Sequence, residues 1–304
     1  MDLPESVAAI GERLGGTGAI VADPQLLHGA DVFAAERDRI FLRPWVAVDH
    51  QTRLDGDGCY FRFDAATRSL LVTRAADGGL HALRNVCIHA GYPVCEDEGG
   101  AAARLICPYH GWEFELDGRL VEPNLSARID PARLRLASHP VCVHDGLIFV
   151  DPSGAAVAGE AAVDPVAAGV VPEWLAEGSV TGRSRYTTNW NWKLALQFLK
   201  ASPHLFADDP GDGATCVVFG PLSLMMVRPQ QAALLRVIPK SAERTDIQLV
   251  RMEAKGAPPS TPAADGSDRV ADGLQRAGDA EAAAQSSELD REFFGWYWSL
   301  MSTD

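Results

Sequence analysis

Positive charge is in short supply in this 304-residue chain: 27 Lys and Arg stand against 41 Asp and Glu, a formal net charge of −14. That deficit argues against a nucleic-acid partner, whose phosphates would be repelled. No apolar run is long enough to span a bilayer. The opening Met1-Asp2-Leu3-Pro4-Glu5 lacks both a basic n-region and an apolar h-region, so no signal peptide is expected. The expectation is a soluble, cytoplasmic protein with neither membrane nor nucleic acid among its partners. Internal repeats are absent. Histidine is scarce, with eight in all and none after His204.

The chain has six cysteines. In a reducing compartment they are not expected to form disulfides. Cys87 and Cys107 stand beside histidines at metal-ligand spacing. Cys59, Cys95, Cys142 and Cys216 read as ordinary apolar or semi-buried thiols.

Between Pro24 and Arg43 the residues Leu26, Leu27, Val32, Phe33, Ile40 and Phe41 recur at roughly helical spacing. From Trp45 to Val150 the texture turns to short strand-like runs: Cys59–Phe63, Ser69–Arg74, Leu80–Arg84, Arg104–Cys107, Trp112–Leu116 and Leu147–Val150. Turn signals such as Asp55-Gly56, Asp77-Gly78, Glu98-Gly99-Gly100 and Asp117-Gly118 divide them. The Ala- and Gly-rich stretch Asp151–Val170 reads as a linker. A helix is expected to open near Thr187, Thr188 or Asn189, to run through Trp192, Leu196 and Leu199, and to end near Pro203. Strands follow at Thr215–Phe219, Leu222–Val227, Ala233–Ile238 and Asp246–Arg251, then a loop over Lys255–Asp268. A closing helix is expected over Ser287–Met301, where Ser287-x-x-Asp290 resembles a capping box. Its residues Phe293, Phe294, Trp296, Tyr297 and Trp298 form an aromatic block that one helix cannot point all one way.

The chemistry concentrates in Cys87-Ile88-His89, seventeen further residues, and Cys107-Pro108-Tyr109-His110. Two short loops that each carry one thiol and one imidazole suit a [2Fe–2S] cluster. Thiolates take one iron and neutral imidazoles the other, which raises the reduction potential. Gly91 and Gly111, close behind the histidines, let backbone approach the cluster. Zinc is the rival for a Cys₂His₂ set. The order Cys-His…Cys-His, with one residue inside the first pair, is wrong for a zinc finger.

At these residues the chain resembles the Rieske non-haem iron oxygenases (the aromatic-ring-hydroxylating dioxygenases), specifically their large, alpha subunits. The likeness runs through Phe41-Leu42-Arg43-Pro44-Trp45, Asn85-Val86-Cys87-Ile88-His89 and Cys107-Pro108-Tyr109-His110-Gly111-Trp112. It continues in Gly146-Leu147-Ile148-Phe149-Val150 and Asn191-Trp192-Lys193. Ala90 departs from it, since many members carry a basic residue there. The resemblance implies an α+β fold: an antiparallel β Rieske [2Fe–2S] domain, then a START-like helix-grip sheet around a C-terminal helix. The expected division is 1–44 as an N-terminal helical segment, 45–155 as the Rieske domain and 156–304 as a degenerate oxygenase domain.

In that family the second domain holds a mononuclear Fe(II) on two histidines and a carboxylate. The resemblance lays the first histidine on His204 and the second on Asp209. The carboxylate that bridges to a neighbour's cluster falls on Ala201, and the usual acid-Asn pair on Gln197-Phe198. Asp290 is the candidate third ligand, although an acid in a helix's first turn also stabilises the helix dipole. His204, Asp209 and Asp290 thus mark an expected vestigial site rather than a working one. The resemblance accordingly implies a subunit that takes electrons from a ferredoxin or flavin reductase. It would deliver them to the iron of a catalytic sibling in a trimeric or hexameric assembly. Two alternatives remain: a true oxygenase that hydroxylates or demethylates a small organic substrate on non-standard ligands, and a stand-alone redox carrier or sensor.

Overall fold

The computed structural model describes residues 24–42, 45–121, 134–155, 171–202, 205, 215–257, 270–273 and 297–301. The chain divides into two compact units, Arg43–Pro165 and a second drawn from Met1–Leu42 with Val166–Asp304. Both are built on antiparallel sheets with few helices, a mixed α+β protein. No helix among the described residues is long and apolar enough to cross a membrane.

Among its described residues the first unit is strand and loop, apart from one 3-10 turn at Gln51–Leu54. Strands β1 (Val46–His50), β10 (Leu147–Val150) and β9 (Val141–His144) form one sheet in the order β1-β10-β9. A second sheet takes β2 (Cys59–Ala65), β3 (Arg68–Arg74), β4 (Leu80–Arg84), β5 (Gly99–Ala101) and β8 (Ser138–His139) in the order β5-β2-β3-β4-β8. The short strands β6 (Leu105–Ile106) and β7 (Glu113–Phe114) pair with each other. Alternation in β2 turns Phe61, Phe63 and Ala65 inward, where they meet Val46, Val48, Leu70, Val72 and Ile148. The glycines at 99 and 100, read as a turn from sequence, instead add β5 as an edge strand on β2. A side chain at Gly99 would come within 2.9 Å of the Tyr60 carbonyl oxygen.

Beside this sheet, the His139 Nδ1 lies 3.1 Å from the Asp151 carbonyl oxygen. Burial pushes His139 below its ordinary value of 6.5, opposed by the Asp151 carbonyl and reinforced by the charges of Arg68 and Arg84. A depressed imidazole takes up its proton in the unfolded chain first. Its contribution is therefore intact above pH 6.5 and drains away as pH falls from there toward the folded-state value. Urea unfolding at pH 7.5 and 5.5 should show this unit losing stability at the lower pH, and His139→Gln should flatten the difference.

The second unit opens with α1 (Pro24–His28), α2 (Ala30–Glu36) and a π-helical turn Arg37–Phe41. It continues in β11 (Ser179–Thr188) and α3 (Trp192–Ala201). Four further strands, β12 (Thr215–Phe219), β13 (Ser223–Val227), β14 (Gln231–Ser241) and β15 (Arg244–Glu253), follow. The sheet order is β11-β15-β14-β13-β12. Strand β14, paired on both sides, is buried from Ala232 to Pro239.

The helix start differs from expectation. Thr187 and Thr188 end a ten-residue edge strand, and the cap is Asn191, whose Oδ1 accepts the Lys193 N–H at 3.0 Å. Its Nδ2 donates to the Leu27 and Ala242 carbonyls at 2.8 and 2.7 Å, so the cap also ties α1 and the β14–β15 turn to α3. The closing helix is described only over 297–301, and the start expected at Ser287 lies outside the described residues.

Candidate iron–sulfur site

Two loops of the first unit share one backbone pattern. In one, the Cys87 N–H donates to the Tyr92 carbonyl at 2.7 Å and the Gly91 N–H to the Cys87 carbonyl at 2.9 Å. In the other, the Cys107 N–H donates to the Trp112 carbonyl at 2.8 Å and the Gly111 N–H to the Cys107 carbonyl at 2.9 Å. Closing each loop needs a left-handed residue, and Gly91 and Gly111 supply it at φ +74° and +70°. A Cβ at either meets nothing within 4 Å, so conformation rather than crowding requires glycine there.

The loops sort their donors by depth. Cys87 and Cys107 are each 2% exposed, rooted in the core of Leu71, Leu83, Phe114 and Leu136. His89 and His110 are exposed, their ring centroids 4.6 Å apart. Burial pushes the Cys87 thiol up and neighbouring Cys107 adds to this, while the backbone N–H groups of His89 and Ala90 pull it down. N–H groups aimed at a sulfur are what a thiolate bound to iron requires.

The donors form two like pairs, thiols within and imidazoles without. Zinc takes four donors on one ion, whereas a two-iron cluster takes two per iron, which suits such a split.

Asn85 fixes the first loop at its root. Its Nδ2 donates to the Cys95 carbonyl at 2.8 Å and Ser69 Oγ at 3.1 Å, and its Oδ1 accepts the Cys95 N–H at 2.9 Å. All the cysteines, Cys95 included, are free thiols.

The family model of the Rieske [2Fe-2S] domain matches residues 44–140. Chlorobenzene dioxygenase subunit alpha of Cupriavidus sp. (strain PS12) is 28% identical over 208 residues, 64% of this chain and 44% of that one. The chain carries a Rieske domain and is homologous to Rieske non-haem iron oxygenase alpha subunits.

The glycine betaine monooxygenase oxygenase subunit of Chromohalobacter salexigens is 30% identical over 171 residues, 55% of this chain and 38% of that one. The matched stretch thus spans less than half the length of either relative. Among solved structures, a quaternary ammonium Rieske monooxygenase superposes with a TM-score of 0.67 at 18% identity, covering 86% of this chain and 81% of that one. That likeness carries the fold of a Rieske oxygenase alpha subunit. The Rieske domain in turn implies a [2Fe–2S] cluster.

The sequence-derived iron residues of the second unit fare differently. His204, Asp209 and Asp290 all lie outside the described residues. Ala201 is described as the exposed last residue of α3, with the half-buried Gln197 and Phe198 one turn earlier. Sequence reasoning passed over Asn85 as a loop anchor and Trp112 as more than a motif letter. Asn85 had no signal of its own, because its partners Ser69 and Cys95 meet it only in the fold.

Proposed function

We propose that this Rieske oxygenase-like chain is an electron-transferring subunit, with Cys87, His89, Cys107 and His110 as the cluster ligands. A [2Fe–2S] cluster supplies one-electron transfer, at a potential raised by its two neutral imidazoles. The buried cysteines anchor that group in the core. The exposed histidines present its other edge to partners, a ferredoxin or flavin reductase on one occasion and a catalytic oxygenase subunit on another. A trimeric or hexameric assembly would bring such a sibling within reach. The structure reported for the quaternary ammonium monooxygenase concerns inter-subunit electron transfer in that protein.

One observation carries the reading: a complete paired-loop site stands in the same chain as Ala201. At the position where the resemblance puts a bridging carboxylate, a methyl group neither donates nor accepts a hydrogen bond. Electrons arriving at this chain's own second unit would lack that link. The 304 residues also hold no histidine after His204 to complete a two-histidine triad.

The runner-up, a true oxygenase using His204, Asp209 and Asp290, has its own support: the curated relatives are named as oxygenases. Metal analysis separates the two. The purified chain should hold iron and sulfide at about two each per chain. It should show a cluster signal by electron paramagnetic resonance on reduction, and take up no third iron when incubated anaerobically with Fe(II). A stoichiometric third iron would establish the runner-up, and a colourless, zinc-bearing protein would defeat both.

A further inference from the structure

Five rings run in unbroken contact across the mouth of the two loops. Trp112 lies flat on His89, centroids 4.6 Å apart and planes 3° from parallel. His89 meets His110 at 4.6 Å, His110 meets Tyr109 at 3.9 Å, and Tyr109 stacks on Tyr92 at 5.2 Å. Trp112 and Tyr92 are the residues whose carbonyls close their respective loops. Each sends its ring across to the opposite loop. The cross-link between the loops is therefore aromatic, in a protein whose cysteines are all unpaired.

The two ends of this chain of rings are not equivalent. Trp112 is half-buried and packs on the core that holds Cys87, Cys107 and Phe114. Tyr109 is 57% exposed and Tyr92 40% exposed. One imidazole thus rests on a ring packed against the core, and the other on a ring that is mostly exposed to solvent. Parallel stacking at this distance restricts rotation about the imidazole's Cβ–Cγ bond.

We propose that Trp112 is a positioning residue: its indole, anchored in the core, fixes the ring plane in which His89 presents its nitrogen to iron. The inference rests on the ligand assignment above and makes the two imidazoles inequivalent, His89 held and His110 adaptable. Ring orientation governs how an imidazole nitrogen overlaps with the iron, so the indole also tunes the reduction potential.

The test compares the wild-type chain with Trp112→Phe and Trp112→Leu. Iron and sulfide content, nitrogen couplings of the reduced cluster by electron–nuclear double resonance, and the midpoint potential would be measured on each. Two distinct sets of histidine nitrogen couplings are expected in the wild type. Trp112→Leu should keep wild-type iron, broaden or shift one set and leave the other, and displace the potential. Trp112→Phe, which keeps a flat ring, should shift the same set by less. Unchanged couplings and potential in Trp112→Leu overturn the proposal, as does a folded Trp112→Leu chain that loads no iron. Should the leucine variant fail to fold, the phenylalanine variant decides: a shift confined to one set supports the proposal, and none overturns it. A wild-type chain without any cluster signal would instead defeat the ligand assignment itself.

Discussion

Glu36→Ala should destabilise the second unit by about 3–5 kcal/mol, the range for removing one partner of a buried ion pair. Glu36 is fully buried at the end of α2, and so is Lys193 in the first turn of α3. The Lys193 ammonium donates to Glu36 Oε1. Tyr297 donates its hydroxyl to the same oxygen at 2.9 Å, and the Trp192 indole N–H donates to Oε2 at 2.7 Å. One carboxylate therefore joins segments that lie 157 and 261 residues away in sequence.

Burial pushes the Lys193 ammonium down from its ordinary value, and Glu36 pulls it back up. Without the carboxylate only the burial penalty remains, eased by the faces of Trp192 and Tyr297 at 5.2 and 5.4 Å. Replacing both charges removes that penalty, so Glu36→Gln with Lys193→Met should recover most of the loss. Denaturant unfolding of Glu36→Gln, Lys193→Met and the double variant checks this as a cycle. Equal stability of Glu36→Ala and the wild type would show that the pair contributes nothing net.

The second large effect concerns cysteine. Cys87→Ser and Cys107→Ser should each abolish the visible absorbance and the reduced-state resonance, because a hard hydroxyl does not replace a thiolate on iron. Cys95→Ser should retain both. Its thiol shares the same core, but Cys95 is held through its backbone by Asn85. The three variants together separate ligation from packing at nearly equal burial. A cluster retained in Cys107→Ser, or lost in a folded Cys95→Ser, would refute the assignment of ligands.

Much of the first unit was legible because its strands alternate and its turns carry Gly and Asp. Strands β2, β3, β4 and β10 lie where the pattern placed them. The edge elements were not legible. β5 is Gly-Gly-Ala and offers no side chain to pattern, so only its pairing with β2 makes it a strand. β11 exposes one face throughout and half-buries the other, which leaves too weak an apolar rhythm to betray a ten-residue strand. Missing it displaced the helix cap from Asn191 to the threonines before it.

The sequence by itself pointed to the proposed ligand chemistry. Two thiols and two imidazoles at short loop spacing, backed by glycines, select a small set of metal groups whatever surrounds them. It also determined that the alanine at 201 carries no proton or electron bridge, since that is a property of the side chain alone. Only the tertiary structure decided which donors sit inside and which face solvent, and that Trp112, packed against the core, lies flat on His89. The same holds for Glu36, which reads as one more surface acid on an amphipathic helix until three distant donors converge on it. Ligand identity is local chemistry and survives in a string of letters. Depth, stacking and buried pairing depend on residues far apart in the chain, and only the folded chain brings these together.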